Sequence, residues 1–498
     1  MSKIQVPVRF KGRTGYQIFV DRYCRAGPTI RSTLGRKIKD WNDVMPDWKP
    51  DQDGEYRNEY FYGGDLLGII SKLDYIKSMG FDFIILTPIS KTHTYHHYDV
   101  ENQTVLDDFI GSWLDFEKLC DEAHKRDILI CVDLVFNHMG SRSEAFTKAM
   151  QGDLYYKGWF SWTKHGYPIF WYGFKDMPET NKTNPDFIEY VHQTEKKYIL
   201  MGADAVRFDL GEILPSEFLR DSREFIKSIN SEVLMISEMW DLASHRENPQ
   251  IYGDQVDSVM NPPLADAILR WTRWGNNLHL DYTIGELSKY PNDVHDVLWN
   301  MLDSHDTPRA ITMLTGEGMC QDPFSGRIWD IETRWRKPYG FDTYNFRKWE
   351  RDHDIISDIK QARGKLEIAS LIQYLMKGIP VVFAGTEVGI SGYKDPFNRK
   401  PYNWEGGDQE LREHYTSLGR MRSENRDILA TGNEKVISDS DVLKIVRSSN
   451  AGSIIALVNR CDYAQRIDIS LEKAKEIFNI NGSTKREIAP WGAIVCRI

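Results

Sequence analysis

Residues Asp204 to Glu212 read DAVRFDLGE. Ala205, Val206, Phe208 and Leu210 supply the apolar and β-branched bulk of a buried strand, yet Arg207 and Asp209 sit among them. A buried charge is costly unless it is paired or used in chemistry. Two residues apart on an extended chain, Arg207 and Asp209 point to the same face. From this stretch alone, a structural ion pair and a catalytic pair are equally good readings.

The surrounding chain repeats one rhythm, a short apolar run, a polar turn and a helical pattern. GYQIFV (Gly15 to Val20) reads as a first strand and FDFIILTPI (Phe81 to Ile89) as a second. ILICVDLVFNH (Ile128 to His138) is a third, and the opening stretch a fourth. EVLMISEMW, VDSVMN, VLWNMLDSHD and IPVVFAGTE supply four more. Between the first two, Leu66, Ile69, Ile70, Leu73 and Ile76 recur at helical spacing. Continuous apolar runs suit strands covered on both sides, as in a parallel sheet wrapped by helices. Eight such alternations from Gly15 to about Ser423 predict an α/β chain built on a (β/α)8 TIM barrel rather than an open doubly wound sheet.

A barrel of this kind carries function at the carboxyl ends of its strands. Asp133, Asn137 and His138 end the third strand, Arg207 and Asp209 the fourth, Glu238 the fifth, and His305 and Asp306 follow the seventh. Structural pairing rarely concentrates so many charges on one rim, so Arg207 and Asp209 are read as parts of a site. Two excursions interrupt the rhythm: Met139 to about Asn184, and roughly Leu314 to Lys360 with Trp329, Trp335, Tyr339, Phe341, Tyr344 and Trp349. Loops this long in a compact domain are usually functional. After about Ile428 short strands and turns predict a C-terminal antiparallel β domain. The expected division is a barrel over residues 1–138 and 185–427, an inserted subdomain over 139–184, and the β domain over 428–498.

Composition excludes several function classes. The 498 residues carry a formal net charge of −10, so there is no basic excess to neutralise a nucleic acid. No run approaches the roughly 20 apolar residues of a membrane span. Cys24, Cys120, Cys131, Cys320, Cys461 and Cys496 are widely spaced, without metal-ligand or redox spacing. With no leader-like apolar segment at the N-terminus, a cytoplasmic location is expected.

Two carboxylates on one rim without a Cys/His cluster suit acid–base or nucleophilic work on a neutral polar substrate, and glycoside hydrolysis needs such a pair. Arg207 beside Asp209 is expected to lower its pKa and keep it ionised. Glu238, among VLMIS, Met239 and Trp240, is expected to have a raised pKa suited to an acid.

DLVFNH, DAVRFDLGE, MISEMW and MLDSHD, in this order and at these strand ends, resemble the four signature regions of the α-amylase family, glycoside hydrolase family 13. The resemblance implies Asp209 as nucleophile, Glu238 as general acid/base and Asp306 as a third carboxylate that grips sugar hydroxyls. It implies that Arg207 holds Asp209, that His138 and His305 bind the sugar at the cleavage point, that Tyr98 stacks on it, and that Asp395 and Arg399 line the next subsite. Trp240 offers an acceptor sugar a stacking surface. His96 and His97 are read as either surface residues or part of the site.

YQIFVDRY, FYGGDLLGIISKLDYI, MPETN, GDQVDSVMN and SHDTPR are similar to the neopullulanase, cyclomaltodextrinase and maltogenic amylase group. That implies an enzyme, a retaining α-glucan hydrolase cutting α-1,4 or α-1,6 linkages of short malto-oligosaccharides, cyclodextrins or pullulan, with some transglycosylation. A dedicated transferase or isomerase on the same machinery is the alternative, and a non-catalytic binding homologue the third reading. With the barrel rhythm starting at about residue 15, the group's N-terminal β domain is not expected, and the oligomeric state stays open. After the nucleophile position the group has a small apolar run ending in Asn-Glu, where this chain has Leu210, Gly211, Glu212 and Ile213. No metal or other cofactor is expected. Calcium is not favoured because the first loop, CRAGPTIRS, lacks carboxylates for a hard cation. The second excursion is expected to roof the cleft and favour short oligosaccharides.

Overall fold

The computed structural model describes residues 6–26, 36–42, 60–316, 327–328, 336–337, 340–341, 353, 356–467 and 471–498. Eight parallel strands form its central sheet: β1 (Gly15–Ile18), β2 (Phe83–Leu86), β3 (Leu129–Leu134), β4 (Ala205–Phe208), β5 (Leu234–Ser237), β6 (Ser258–Val259), β7 (Trp299–Met301) and β8 (Ile379–Phe383). They are paired in the order β6-β5-β4-β3-β2-β1-β8-β7. A parallel bridge between Met260 and Trp299 joins the two ends, so the sheet closes into a barrel. Every position of β1 to β5 is buried, as the continuous apolar runs require.

The paired strands are shorter than the apolar runs. Phe81 and Ile89 are buried but unpaired flanks of β2, since a residue can pack into the core after the ladder has ended. Helices wrap the barrel. The first helical segment is split into α1 (Leu66–Ser71) and α2 (Leu73–Ser78) at Lys72, whose ψ of 4° leaves the helical range. The Lys72 ammonium lies 4.0 Å from the Trp404 ring centroid. The next helix, α3 (Trp113–His124), starts at a capping box made by Ser112 and Asp115, and α4 (Pro185–Leu200) at an Asn184 cap followed by proline. Beyond it lie α5 (Ser216–Ile229), α6 (Pro262–Trp274), α7 (Ile359–Leu375) and α8 (Gln409–Glu424). Gly275, at φ 71°, ends α6 in the left-handed region that favours glycine.

After β3 the chain leaves the barrel through two short helices, Glu144–Met150 and Leu154–Gly158, and a set of isolated bridges. Phe146, Trp159 and Phe160 make a local core there. The excursion is tied down where β3 ends. Thr180 Oγ1 donates to the Phe136 carbonyl at 2.6 Å, and the Lys182 ammonium to the Asn137 carbonyl at 2.8 Å. Of its aromatic rings, Trp171 stacks on His138 at the end of β3.

The C-terminal sheet is antiparallel, with β9 (Asn433–Ser438), β10 (Val442–Ser449), β11 (Gly452–Asn459), β12 (Lys475–Ile480) and β13 (Ala493–Arg497) in the order β9-β10-β11-β13-β12. Burial alternates along β10, the signature of a sheet with one face on a core. From β10 the buried Arg447 donates to the Leu375 carbonyl at 2.7 Å, satisfying an acceptor at the C-terminal end of α7.

Trp329, Trp335, Tyr339, Tyr344 and Trp349 of the second excursion lie outside the described residues, and so does the roof read from them. The same holds for residues 27–32 of the first loop. No described helix is long and apolar enough to cross a membrane.

Candidate active site

Arg207 stands at the centre of the barrel rim, with its side chain 1% exposed. Adjacent-strand register sets Asp133 of β3 beside Arg207 of β4, so their side chains meet in the barrel interior. Arg207 pairs with Asp133 through Nη1, and its Nη2 lies 2.8 Å from Glu238 Oε2. Asp209 is a looser partner, its Oδ1 3.5 Å from Nη1. One guanidinium therefore gathers three carboxylates from three consecutive strand ends.

Glu238 accepts one hydrogen bond on each carboxylate oxygen. The Leu210 N–H reaches Oε2 at 2.7 Å and the Trp240 indole N–H reaches Oε1 at 2.6 Å. Leu210 adopts φ 50°, ψ 30°, a left-handed conformation uncommon for a side chain of its size. That turn aims its amide at Glu238.

Electrostatics here overturn one expectation from the sequence. The Asp209 pKa is raised well above the ordinary carboxylate range, not lowered. Burial is the largest cause, and the Glu238 charge adds to it; Arg207 opposes both. The cation expected to serve Asp209 is spent chiefly on Asp133 and Glu238. Asp133 is itself pushed up to about 7, by burial against the pull of Arg207.

The remaining expected residues surround this centre. His305 Nδ1 lies 3.4 Å from the Gln17 amide nitrogen, which can only donate, so the ring proton sits on Nε2. That Nε2 lies 3.0 Å from Asp306 Oδ2 and 2.6 Å from the Tyr98 hydroxyl. Tyr98 stacks on His305 with rings 4° from parallel, and its hydroxyl donates to Asp133 Oδ2 at 2.9 Å. Burial pushes the His305 pKa down and that of Asp306 up. His138 Nε2–H donates to the Tyr98 carbonyl at 3.1 Å, and burial lowers its pKa to about 4. Its Nδ1 is buried without a protein partner, and its ring stacks on Trp171 of the excursion.

Asp395 and Arg399 form a second group beside Asp306. Arg399 reaches Asp306 at 3.2 Å and Asp395 at 3.3 Å, while the Tyr95 hydroxyl donates to Asp395 at 2.5 Å. The side chains of Asp306 and Asp395 are 32% and 42% exposed, against 8% for Asp209 and 6% for Glu238. Two partly open carboxylates thus flank two buried ones, an arrangement that can hold hydroxyl groups beside groups suited to acid–base or nucleophilic chemistry.

All ten expected residues meet at this rim. Sequence reading missed Tyr95, Gln17 and Trp171, whose types carry no distinctive signal; the Tyr95–Asp395 contact spans 300 positions. The two uncertain histidines separate. The His96 ring stacks on Tyr98, whereas His97 turns away, with Nε2 3.6 Å from Asp107.

The family described as the α-amylase catalytic domain matches residues 7–324. A neopullulanase from Thermoactinomyces vulgaris is 29% identical over 82% of the chain, which spans 62% of that enzyme's length. A cyclomaltodextrinase from Geobacillus thermopakistaniensis is 26% identical over 99% of the chain and 76% of its own length. Among solved structures, the cyclic α-maltosyl-(1→6)-maltose hydrolase from Arthrobacter globiformis superposes with a TM-score of 0.77 at 22% identity, covering 99% of this chain and all of that one; it speaks to the fold. With 318 of 498 residues inside the catalytic-domain match, and the barrel and its rim as described, the chain belongs to the α-amylase family of glycoside hydrolases.

Proposed function

We propose that the chain is a retaining α-glucan hydrolase acting on short malto-oligosaccharides or related cyclic glucans, with some glycosyl transfer. The observation that carries this reading is the meeting of Asp209 and Glu238, from adjacent strands, on one buried guanidinium, with Asp306 and Asp395 open beside them. Asp209 attacks the anomeric carbon while Glu238 protonates the departing glycosidic oxygen, giving a glycosyl ester on Asp209. Glu238 then takes a proton from an incoming water or sugar hydroxyl, which attacks the same carbon and frees Asp209. Two displacements retain the α configuration. The first displacement uses Asp209 in its ionised form; burial and the neighbouring Glu238 charge oppose that form, and Arg207 favours it. Asp306 holds sugar hydroxyls, and His138 Nδ1 and the Tyr98–His305 stack shape the same subsite.

Trp240 favours a second activity. Its ring is anchored to Glu238 through the indole N–H, on the side where a leaving or accepting sugar must lie, so transfer accompanies hydrolysis. Proton NMR of maltotetraose during digestion tests both points. New α-anomeric signals before mutarotation, with longer products alongside shorter ones, support the proposal; β-anomeric signals would overturn it.

We further propose that calcium takes no part. Asp21, Asp65 and the Asn137 carbonyl already hold partners that a hard cation would have to displace. Asp21 accepts the backbone N–H groups of Tyr62 and Gly63 and lies 3.1 Å from Arg22 Nε, and Asp65 caps α1. The Asn137 carbonyl already holds the Lys182 ammonium. The division into a barrel (1–138 and 185–427), a subdomain (139–184) and a β domain (428–498) is part of this proposal. The five described cysteines are buried and unpaired, which supports a reducing, cytoplasmic setting.

A further inference from the structure

The segment after β4 and the segment after β5 are clamped together, and Glu212 is the residue that closes the clamp. Its backbone N–H donates to the Glu238 carbonyl at 2.9 Å. Its carboxylate then reaches past Glu238 and accepts the Trp240 N–H on Oε2 at 3.1 Å. Arg246 pairs with the same oxygen and fixes the carboxylate in that position. Trp240 in turn donates its indole N–H to Glu238 Oε1, and Leu210 donates its amide to Oε2. A chain of contacts therefore runs from Arg246 through Glu212 and Trp240 to the carboxylate of Glu238. The two segments approach so closely that a Cβ on Gly211 would lie 2.1 Å from Ser237 Oγ, and Gln250 secures the Gly211 carbonyl from the far side at 2.8 Å.

We propose that Glu212 is a positioning residue for the proton-donating step: it sets the place of Trp240 and through it the rotamer of Glu238. The inference rests on the reading of Glu238 as general acid. An ion pair that only anchored the 240–246 loop would have no reason to bind the Trp240 amide, the one backbone donor that fixes where the indole swings. Two hydrogen bonds to the Glu238–Trp240 tripeptide, one from the backbone of Glu212 and one to its side chain, hold that segment in one orientation.

The test compares two substrates that differ in their need for an acid. A glycosidic oxygen must be protonated to depart, whereas fluoride leaves α-maltosyl fluoride without that help, and kcat/KM reports the first displacement for each. In Glu212→Ala, kcat/KM on maltotetraose is expected to fall about 30-fold, part of the roughly 10²–10⁴-fold a general acid supplies because Glu238 is displaced and not removed, while that on α-maltosyl fluoride changes by less than about threefold. Glu212→Gln keeps an acceptor for the Trp240 amide but loses the charge that binds Arg246, and falls between Glu212→Ala and the wild type on maltotetraose. Turnover of the fluoride shows that each variant is folded. Equal losses on both substrates, or no loss on either, would overturn the positioning role. Wild-type protein that turns over neither substrate would instead overturn the reading of Glu238 on which the role depends.

Discussion

Replacing Arg207 by methionine keeps an unbranched stem, shorter than that of arginine, and removes the charge that three carboxylates share. At 3.5 Å from Asp209 and an effective dielectric of about 20, that charge contributes about 4.7 kcal/mol of attraction to the ionised form. At 1.36 kcal/mol per unit this corresponds to about three and a half pKa units, of which relaxation and protonation of the neighbouring acids absorb part. Asp209 is already raised by burial and by the charge of Glu238, and losing Arg207 pushes it the same way. An acid with a higher pKa ionises only at higher pH. The acid limb of kcat/KM on α-maltosyl fluoride should therefore move up by about two units or more, with the lost activity partly recovered as the pH is raised. Arg207→Lys, which keeps a cation but not the fork, should move it less. In Arg207→Met the acids are more readily protonated in the folded than in the unfolded chain, so stability should decline as pH rises through the shifted range; thermal scans at pH 5 and pH 9 check this. A limb that stays in place while the rate drops uniformly, or one that moves down, would show that Arg207 does not favour the ionised form of Asp209.

Three further outcomes are expected. Gly211→Ala should cost about 1–3 kcal/mol through overpacking against Ser237, and Ser237→Gly in the same chain should recover part of that loss; denaturant midpoints of the single and double variants measure it. His138, with its pKa lowered to about 4, is neutral throughout the working range. His138→Asn should therefore raise KM for maltotetraose while the pH profile of kcat/KM stays parallel to that of the wild type. Prolonged treatment with EDTA followed by desalting should leave both the melting temperature and maltotetraose turnover unchanged.

The fold was legible because burial on both faces forces continuous apolar runs, and a charge at the end of such a run stands out against them. Asp133, Arg207, Asp209, Glu238 and Asp306 were found in that way. Which carboxylate Arg207 serves was not legible, because the answer lies in the register between β3 and β4, a relation between strands about 70 residues apart. Reading Asp209 from its own strand gave a lowered pKa; burial and the neighbouring Glu238 reverse it. The clamp at Glu212 was visible only as a departure from the family's usual residues after the nucleophile. Its meaning depends on the Trp240 amide lying within reach, which spacing along the chain does not reveal. Strand length was overestimated for a similar reason, since apolar residues continue into the core after backbone pairing stops.

The central claim is that Asp209 carries the sugar between the two displacements. Incubating the protein with 5-fluoro-α-glucosyl fluoride, which forms the glycosyl ester faster than water releases it, and then recording the intact mass and mapping the peptides tests this directly. One added fluoroglucosyl group is expected, located on Asp209 and absent from Asp209→Asn. A label on Glu238 or Asp306, or rapid turnover through an inverted product with no label at any stage, would contradict it.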